Sequence, residues 1–250
     1  NDKGLRYLHL NNMNNLSKLW LSFTDISDEG LFYLNNMNNL SELALDRTKI
    51  TGKGLIHLKE LHNLSILYLI SSGISDENLI YLKGLSSLSE LYLSDTKITG
   101  KGLIHLKELY NLSILRLTSS RISDENLVYL KDLPNLSELY LSNTMITDKG
   151  LSYLCNLKNL KRLYIDKLRN ISDEGVAHIT NMPELTLISL IDSFISDKGI
   201  ASLKNLPKLN KLYLMGTNAT SDSLLSIELP KFEEVFFYEK QINKDNLIKL

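Results

Sequence analysis

The sequence predicts an α/β solenoid, a curved right-handed superhelix with a parallel sheet on its concave face and short helices on its convex face. Three observations lead there. A hexamer of the form Ile-[Ser/Thr]-[Asp/Gly]-[Glu/Lys]-[Gly/Asn]-[Leu/Val/Ile] begins at Ile26, Ile50, Ile74, Ile98, Ile122, Ile146, Ile171 and Ile195, with fainter echoes at Ala219 and Ile242. Its spacing is 24 residues at every step except one of 25, between Ile146 and Ile171, and periods of this size mark stacked repeats. Residues 50–97 and 98–145 agree at 38 of 48 positions, and "ITGKGLIHLKEL" is written identically at 50–61 and 98–109. The 24-residue unit is thus the structural one, and the 48-residue identity reads as a duplication of two units.

Each unit has two parts. In "LSELALDRTKI" (40–50), Leu40, Leu43 and Leu45 end in the alternation of a short strand. In "TGKGLIHLKELHNL" (51–64), Leu55, Leu58 and Leu61 recur three apart, which suits one face of a short helix or 3₁₀ turn. The Ser or Thr before the turn is a natural N-cap, and "SDE" adds acids where the helix dipole favours them. "TGK" lacks that help, so those turns are expected to start less firmly. Gly or Asn recurs at Gly30, Gly54, Asn78, Gly102, Asn126, Gly150, Gly175 and Gly199, which implies either a positive φ or a close backbone approach.

A lone unit cannot bury its leucines, so stability must come from stacked neighbours. Strands pair about 4.8 Å apart and packed helices about 8–10 Å, so the strand row is expected inside the curve. The phase breaks at three places: residues 4–16, residues 164–172 with "YIDKLRNIS", and residues 226–232 with "SIELPKF". It resumes after each, so these read as local bulges. The expectation is one domain over residues 1–250, of about ten units. Because both ends stop within a unit and solenoids need caps, the domain is expected to come from a longer protein.

The pattern Leu-x-x-Leu-x-Leu-x-x-Thr-x-Ile-x-Asp-x-Gly-Leu-x-x-Leu-x-x-Leu resembles the leucine-rich repeat family, over essentially the whole chain. The "I-[ST]-D-x-G-L" segment is similar to that of bacterial GALA-type repeats and of F-box proteins. The sequence departs where most such repeats carry Asn, having Thr24, Thr48, Ser72, Thr96, Ser120, Thr144, Ser193 and Thr217 instead. Hydroxyls bonded to a neighbouring loop's backbone are expected there, in place of an asparagine ladder. The resemblance implies a non-catalytic protein-binding module, such as part of a bacterial effector or adaptor. It also implies two alternatives. One is the substrate-selecting arm of a ubiquitin ligase, although no F-box-like segment lies within these residues. The other is an extracellular receptor ectodomain.

Between the buried leucines, alternate strand residues must face outward from the core. One column runs Trp20, Ala44, Tyr68, Tyr92, Arg116, Tyr140, Tyr164, Ser189, Tyr213, Phe236; seven of these ten are aromatic, against 8% of the chain. Two residues earlier, Glu42, Glu90, Glu138 and Glu234 alternate with Ile66, Ile114, Leu187 and cations. Tyr is a favourable strand residue, and stacked rings stabilise a sheet by themselves. A stripe of rings flanked by charges and exposed Ile66, Ile70, Ile114, Leu187 and Ile191 also reads as a protein-recognition surface. The candidate partner-binding residues are therefore Trp20, Tyr68, Tyr92, Arg116, Tyr140, Tyr164, Tyr213, Phe236, Ile66 and Ile114. Arg116 is expected to sit between Tyr92 and Tyr140 in a cation–π sandwich.

Other chemistry is not written here. The net charge of −1 offers no attraction to nucleic acid or anionic lipid, and no apolar run approaches the roughly 20 residues of a membrane span. His57 and His105 lie two units apart, too far to share a metal, and His9, His62 and His178 have no partner at ligand spacing. The glutamate column reads as a solvated edge. Cys155 has no designated base, and "GKG" lacks phosphate-loop spacing. No enzyme, cofactor or metal is expected. The partner is an unidentified protein, and a monomer is expected. The single cysteine favours a reducing, cytoplasmic compartment, the host cytosol in the case of an effector. Seven Asn-x-Ser/Thr sequons occur, at Asn15, Asn39, Asn63, Asn111, Asn135, Asn170 and Asn218; five are the same "NLS" imposed by the template, so they do not argue for secretion.

Overall fold

Each period yields one three-residue strand and one short helical segment, as the change of hydrophobic spacing predicts. The computed structural model describes residues 1–7, 13, 15–227 and 232–242. His9 with the rest of 8–12 and residue 14 in the first phase break, residues 228–231 in the last, and the C-terminal end from 243 lie outside the described residues. The chain gathers into two compact units, Asn1–Ile122 with Asp132–Leu136, and Ser123–Lys131 with Ser137–Leu250.

The first unit holds five parallel strands in sequence order: β1 (Lys18–Trp20), β2 (Glu42–Ala44), β3 (Ile66–Tyr68), β4 (Glu90–Tyr92) and β5 (Ile114–Arg116). The second holds β6 (Glu138–Tyr140), β7 (Arg162–Tyr164), β8 (Leu187–Ser189), β9 (Lys211–Tyr213) and β10 (Glu234–Phe236), again parallel and in order. Pairing is in strict register: Leu43 lies beside Leu67, Leu67 beside Leu91, Leu91 beside Leu115. These leucines are fully buried, as are Leu139, Leu163, Ile188 and Leu212 in the second unit. Each such side chain contributes about 1.5–3 kcal/mol by leaving water. That repeated burial holds strands too short to persist alone.

Helical segments are of two kinds, α and 3₁₀. Segments α2 (Asp148–Leu154), α3 (Asp173–His178) and α4 (Asp197–Ser202) are α-helical, like α1 (Asp2–Tyr7). The hydroxyls of Thr147, Ser172 and Ser196 accept the backbone N–H two residues on, which caps α2, α3 and α4. In the duplicated units, Lys53–Leu58 and Lys101–Leu106 are 3₁₀ turns that start at Gly52 and Gly100, with no side-chain cap. Gly30–Leu34 and Asp76–Leu82, in units that carry "SDE", are 3₁₀ turns too, so the first residues do not by themselves set the "TGK" turns apart as expected.

The Gly/Asn column marks close approach, not positive φ. A Cβ on Gly54 would lie 2.6 Å from the Asp28 carbonyl oxygen, and one on Gly102 2.5 Å from that of Asp76. These aspartates fasten one unit to the next. Asp28 accepts the N–H groups of Thr51, Gly52 and Gly54 and the Thr51 hydroxyl. Asp76 does the same for Thr99, Gly100 and Gly102. Where a period carries Gly52 in place of the aspartate, the following one carries Asn78. Its carboxamide oxygen accepts the Ser75 N–H and hydroxyl, each at 2.9 Å. The two arrangements exclude each other, since a Cβ on Gly52 would fall 2.8 Å from that of Asn78.

The expected hydroxyl ladder is corrected. Thr24, Thr48, Ser72, Thr96, Thr144 and Thr217 each donate to the carbonyl three residues earlier in their own period, and not to a neighbouring loop. A three-residue step closes a tight turn with a short side chain, so the nearest acceptor wins. Ladders between periods do exist in other columns. Ser41, Ser65, Ser89 and Ser113 each donate to the equivalent carbonyl 24 residues back. Asn63, Asn111 and Asn135 donate to the carbonyls of Asn38, Ser86 and Tyr110, each 25 residues back.

After each of the strands β1 to β9 the chain turns through a left-handed residue. Phe23, Arg47, Ser71, Asp95, Ser119, Asn143, Lys167 and Asp192 have φ between 51° and 61°, and Gly216 has 75°. A side chain in this region costs about 1–2 kcal/mol. Ser71→Gly is therefore expected to gain about 0.5 kcal/mol after glycine's entropic penalty, seen as a higher thermal midpoint. A lower midpoint would show that the Ser71 side chain is needed in the turn.

Candidate functional site

The outward column keeps its rings on the sheet face because residue i of every strand pairs with residue i of the next. In the first unit the row is Trp20, Ala44, Tyr68, Tyr92, Arg116. Tyr68 and Tyr92 stack at 4.3 Å between centroids and 23° between planes, and the Arg116 guanidinium lies 5.1 Å from the Tyr92 centroid. The Tyr92 half of the expected cation–π arrangement is thus present. Trp20 stands apart from these rings across Ala44 and is 69% exposed. Ile66 and Ile114 flank Glu90 in the adjoining row and are half-buried.

In the second unit the row is Tyr140, Tyr164, Ser189, Tyr213, Phe236. Tyr140 and Tyr164 stack at 4.1 Å and 4°, while Tyr213 and Phe236 meet edge to face at 5.0 Å. Ser189, 1% exposed, separates the two pairs. Stacked pairs of this geometry are worth about 0.5–1.5 kcal/mol beyond burial, so the rings serve the sheet as well as any partner.

Two expectations about the flanking residues are corrected. Ile66, Ile70, Ile114 and Ile191 are half-buried rather than exposed, and Leu187 is buried. The glutamates are not a solvated edge either. Glu42 accepts the Trp20 indole N–H at 2.9 Å and pairs with Lys18 at 2.8 Å. Glu90, Glu138 and Glu234 accept the hydroxyls of Tyr92, Tyr140 and Tyr213 at 2.6, 3.1 and 3.0 Å. Arg162 contacts Glu138 at 3.3 Å and Lys211 contacts Glu234 at 2.6 Å. For Glu90 and Glu138 the recurrence of Glu two residues before a tyrosine was the available signal, whereas Glu42 and Glu234 bond across strands. An i, i+2 pair lies on one face of a strand, within reach of a phenol.

The ionisation of the face follows from these contacts. The bond to Lys18 holds the Glu42 carboxyl below its usual range, and Lys211 does the same for Glu234. Burial, followed by the bond to Glu90, pushes the Tyr92 phenol well above its ordinary value. Burial also raises Tyr68 and Tyr213. For Tyr213 and Glu234 the two shifts act together, keeping a protonated phenol bonded to a carboxylate near neutral pH.

Among the described residues no group of three or more His, Cys, Asp or Glu is placed to hold a metal ion. His57 lies edge-on to Phe32 at 5.4 Å, and His62 contacts Glu60 at 3.3 Å. Cys155 is half-buried and free, just past α2. No described helix is long and apolar enough to cross a membrane.

A family model described as "Leucine Rich repeat" matches residues 12–34, 84–107 and 132–155. No curated protein matches the chain in sequence. Among solved structures, internalin C2 of Listeria monocytogenes is similar at 25% identity and a TM-score of 0.59, covering 89% of this chain and 80% of that one. An internalin, InlF, of the same organism is similar at 20% identity and 0.53, covering 97% and 89%. The plant peptide hormone receptor RGFR1, solved with RGF2, is similar at 15% identity and 0.53; this chain spans 45% of its length. Leucine-rich repeat scaffolds in general mediate protein–protein contacts through extended surfaces of this kind. The phased leucines, the register of parallel strands and these likenesses agree: the chain belongs to the leucine-rich repeat family.

Proposed function

We propose that the chain is a protein-recognition module that holds its partner on the aromatic face of the sheet. The observation that carries this reading is the pre-stacked tyrosine pairs, Tyr68 with Tyr92 and Tyr140 with Tyr164, whose half-buried rings stand on the outward face of strands. Rings already fixed by a neighbour lose little freedom on binding, and Tyr, Trp and Arg are the usual energetic anchors of interfaces. The glutamates restrain several of the polar ends, so each anchor offers an apolar flat side beside a defined charge.

The test is affinity capture followed by titration with the captured protein. Tyr68→Ala with Tyr92→Ala, and separately Tyr140→Ala with Tyr164→Ala, are each expected to weaken binding by about a hundredfold, two anchors of at least 1.4 kcal/mol each. Circular dichroism must show each variant folded. Unchanged affinity in both folded variants rejects the reading.

The repeat pattern "I-[ST]-D-x-G-L" supports a narrower version, in which the module selects substrates for a ubiquitin-ligase-type effector; the sequence that flanks it in the parent protein tests this. We place its action in a compartment that attaches no N-glycans, the cytoplasm or a host cytosol. Asn63, Asn111 and Asn135 of the sequons already spend their amides on ladder bonds, which a glycan would break. Detecting glycans at those residues on native material would instead support a receptor ectodomain.

A further inference from the structure

The one 25-residue step opens a second surface, away from the aromatic column. Between left-handed Asn143 and Ile146 the chain places two residues, Thr144 and Met145. Between left-handed Lys167 and Ile171 it places three, Leu168, Arg169 and Asn170. Leu168 turns into the core where the other periods set a hydroxyl, so Arg169 and Asn170 are left on the exposed side. Beside them, past the C-terminal ends of β6 to β9, lies a cavity of about 780 Å³. Lys167, Arg169, Asp192 and Phe194 line it, with Gly216 at its far side.

The chemistry of this cavity differs from that of the sheet face. Arg162 and Lys211 are bound to glutamates, whereas neither Lys167 nor Arg169 has an ion-pair partner among the described residues. Asp192 is the one carboxylate among the lining residues, which leaves an excess of one positive charge. Phe194 is 58% exposed, a large ring with little of its own chain to cover it. Insertions in repeat proteins commonly fall on a binding surface. Here the insertion, the cavity, the unpaired cations and the bare ring coincide.

We propose that this cavity binds an acidic peptide segment, with carboxylates on Lys167 and Arg169 and an apolar side chain against Phe194. A phosphate polymer is disfavoured, because two cations form no stripe and the chain carries a net charge of −1. No residue of this site belongs to the aromatic column, so the two readings stand or fall separately.

The test uses the blocked peptide Glu-Glu-Phe-Glu-Gly, its counterpart with lysine for glutamate, and inorganic phosphate. Each is titrated by calorimetry and by amide chemical shifts in about 50 mM salt, where screening is modest. The acidic peptide is expected to bind, with shifts at residues 167–170 and 192–194, and the lysine peptide is not. Lys167→Glu with Arg169→Glu is expected to weaken the acidic peptide at least about tenfold. Phe194→Ser is expected to weaken it about fivefold with no change in salt dependence. Thermal melts establish that each variant is folded. Failure of the acidic peptide to bind at millimolar concentration, equal binding of the lysine peptide, or unchanged affinity in the charge-reversed variant would overturn the proposal. Full displacement by inorganic phosphate at comparable concentration would overturn it in favour of a phosphate site.

Discussion

Asp76→Ala is expected to destabilise the chain by about 3 kcal/mol, far more than a surface carboxylate normally would. Its carboxylate accepts the Thr99 N–H at 3.1 Å, the Thr99 hydroxyl at 2.6 Å, the Gly100 N–H at 3.1 Å and the Gly102 N–H at 2.9 Å. Both glycines are buried, so alanine would strand donors that water does not reach. Bonds to a charged acceptor are worth about 1.5–3 kcal/mol each but do not add when they share one group. Denaturant unfolding measures the total, and hydrogen exchange at Gly100 and Gly102 should quicken before that of distant strands. Asp25→Ala is the comparison. Asp25 also pairs across periods, with Lys49 at 2.7 Å, yet both side chains are mostly exposed and such a pair adds little. Equal losses in the two variants would contradict the role given to Asp76.

Gly102→Ala is expected to cost a similar amount, about 3 kcal/mol, for a steric reason. The new methyl would stand 2.5 Å from the Asp76 carbonyl oxygen and 2.8 Å from its Cα, and backbone cannot swing aside as a side chain can. Relief requires the two periods to separate, which also loosens the bonds that Asp76 makes. Gly4→Ala is the control: in α1 the nearest atom to its Cβ is 3.8 Å away, so the substitution is expected to gain up to about 1 kcal/mol from helix propensity. A Gly102→Ala protein that melts with the parent would show that the periods are not packed as described.

The strands and helical turns were legible because burial imposes two spacings on one period, and leucine marks both. The rings on the outward face were legible for the same reason, since alternation along a strand fixes which residues share a side. Three features were hidden. The left-handed turn is filled by Phe23, Arg47, Ser71, Ser119 and Lys167 in five periods, which hides the signal that Gly216 gives and that Asp95, Asn143 and Asp192 give more weakly. The partner of a hydroxyl such as Thr48 depends on the path of a turn, and composition does not encode that path. The glutamates looked solitary because their bonds run along the strand to Tyr92 and Tyr140, or across to Trp20. The cavity beside Arg169 was half legible: the extra residue showed in the spacing, but the exposure of Phe194 in the next period did not.

The alternation of aspartate–glycine and glycine–asparagine contacts sets a rule for how this chain can change length. Excising residues 50–73 alone would press Asp28 against Asn78, two side chains into a gap made for one. Excising 74–97 alone would leave Gly52 facing Gly102, with no acceptor for the turn. Removing 50–97 together brings Asp28 to Gly102, a fit the protein already uses between Asp28 and Gly54. Gain or loss of copies in this stretch is therefore quantised in pairs. The repeated dozen residues at 50 and 98 lie two periods apart, the spacing that this parity allows.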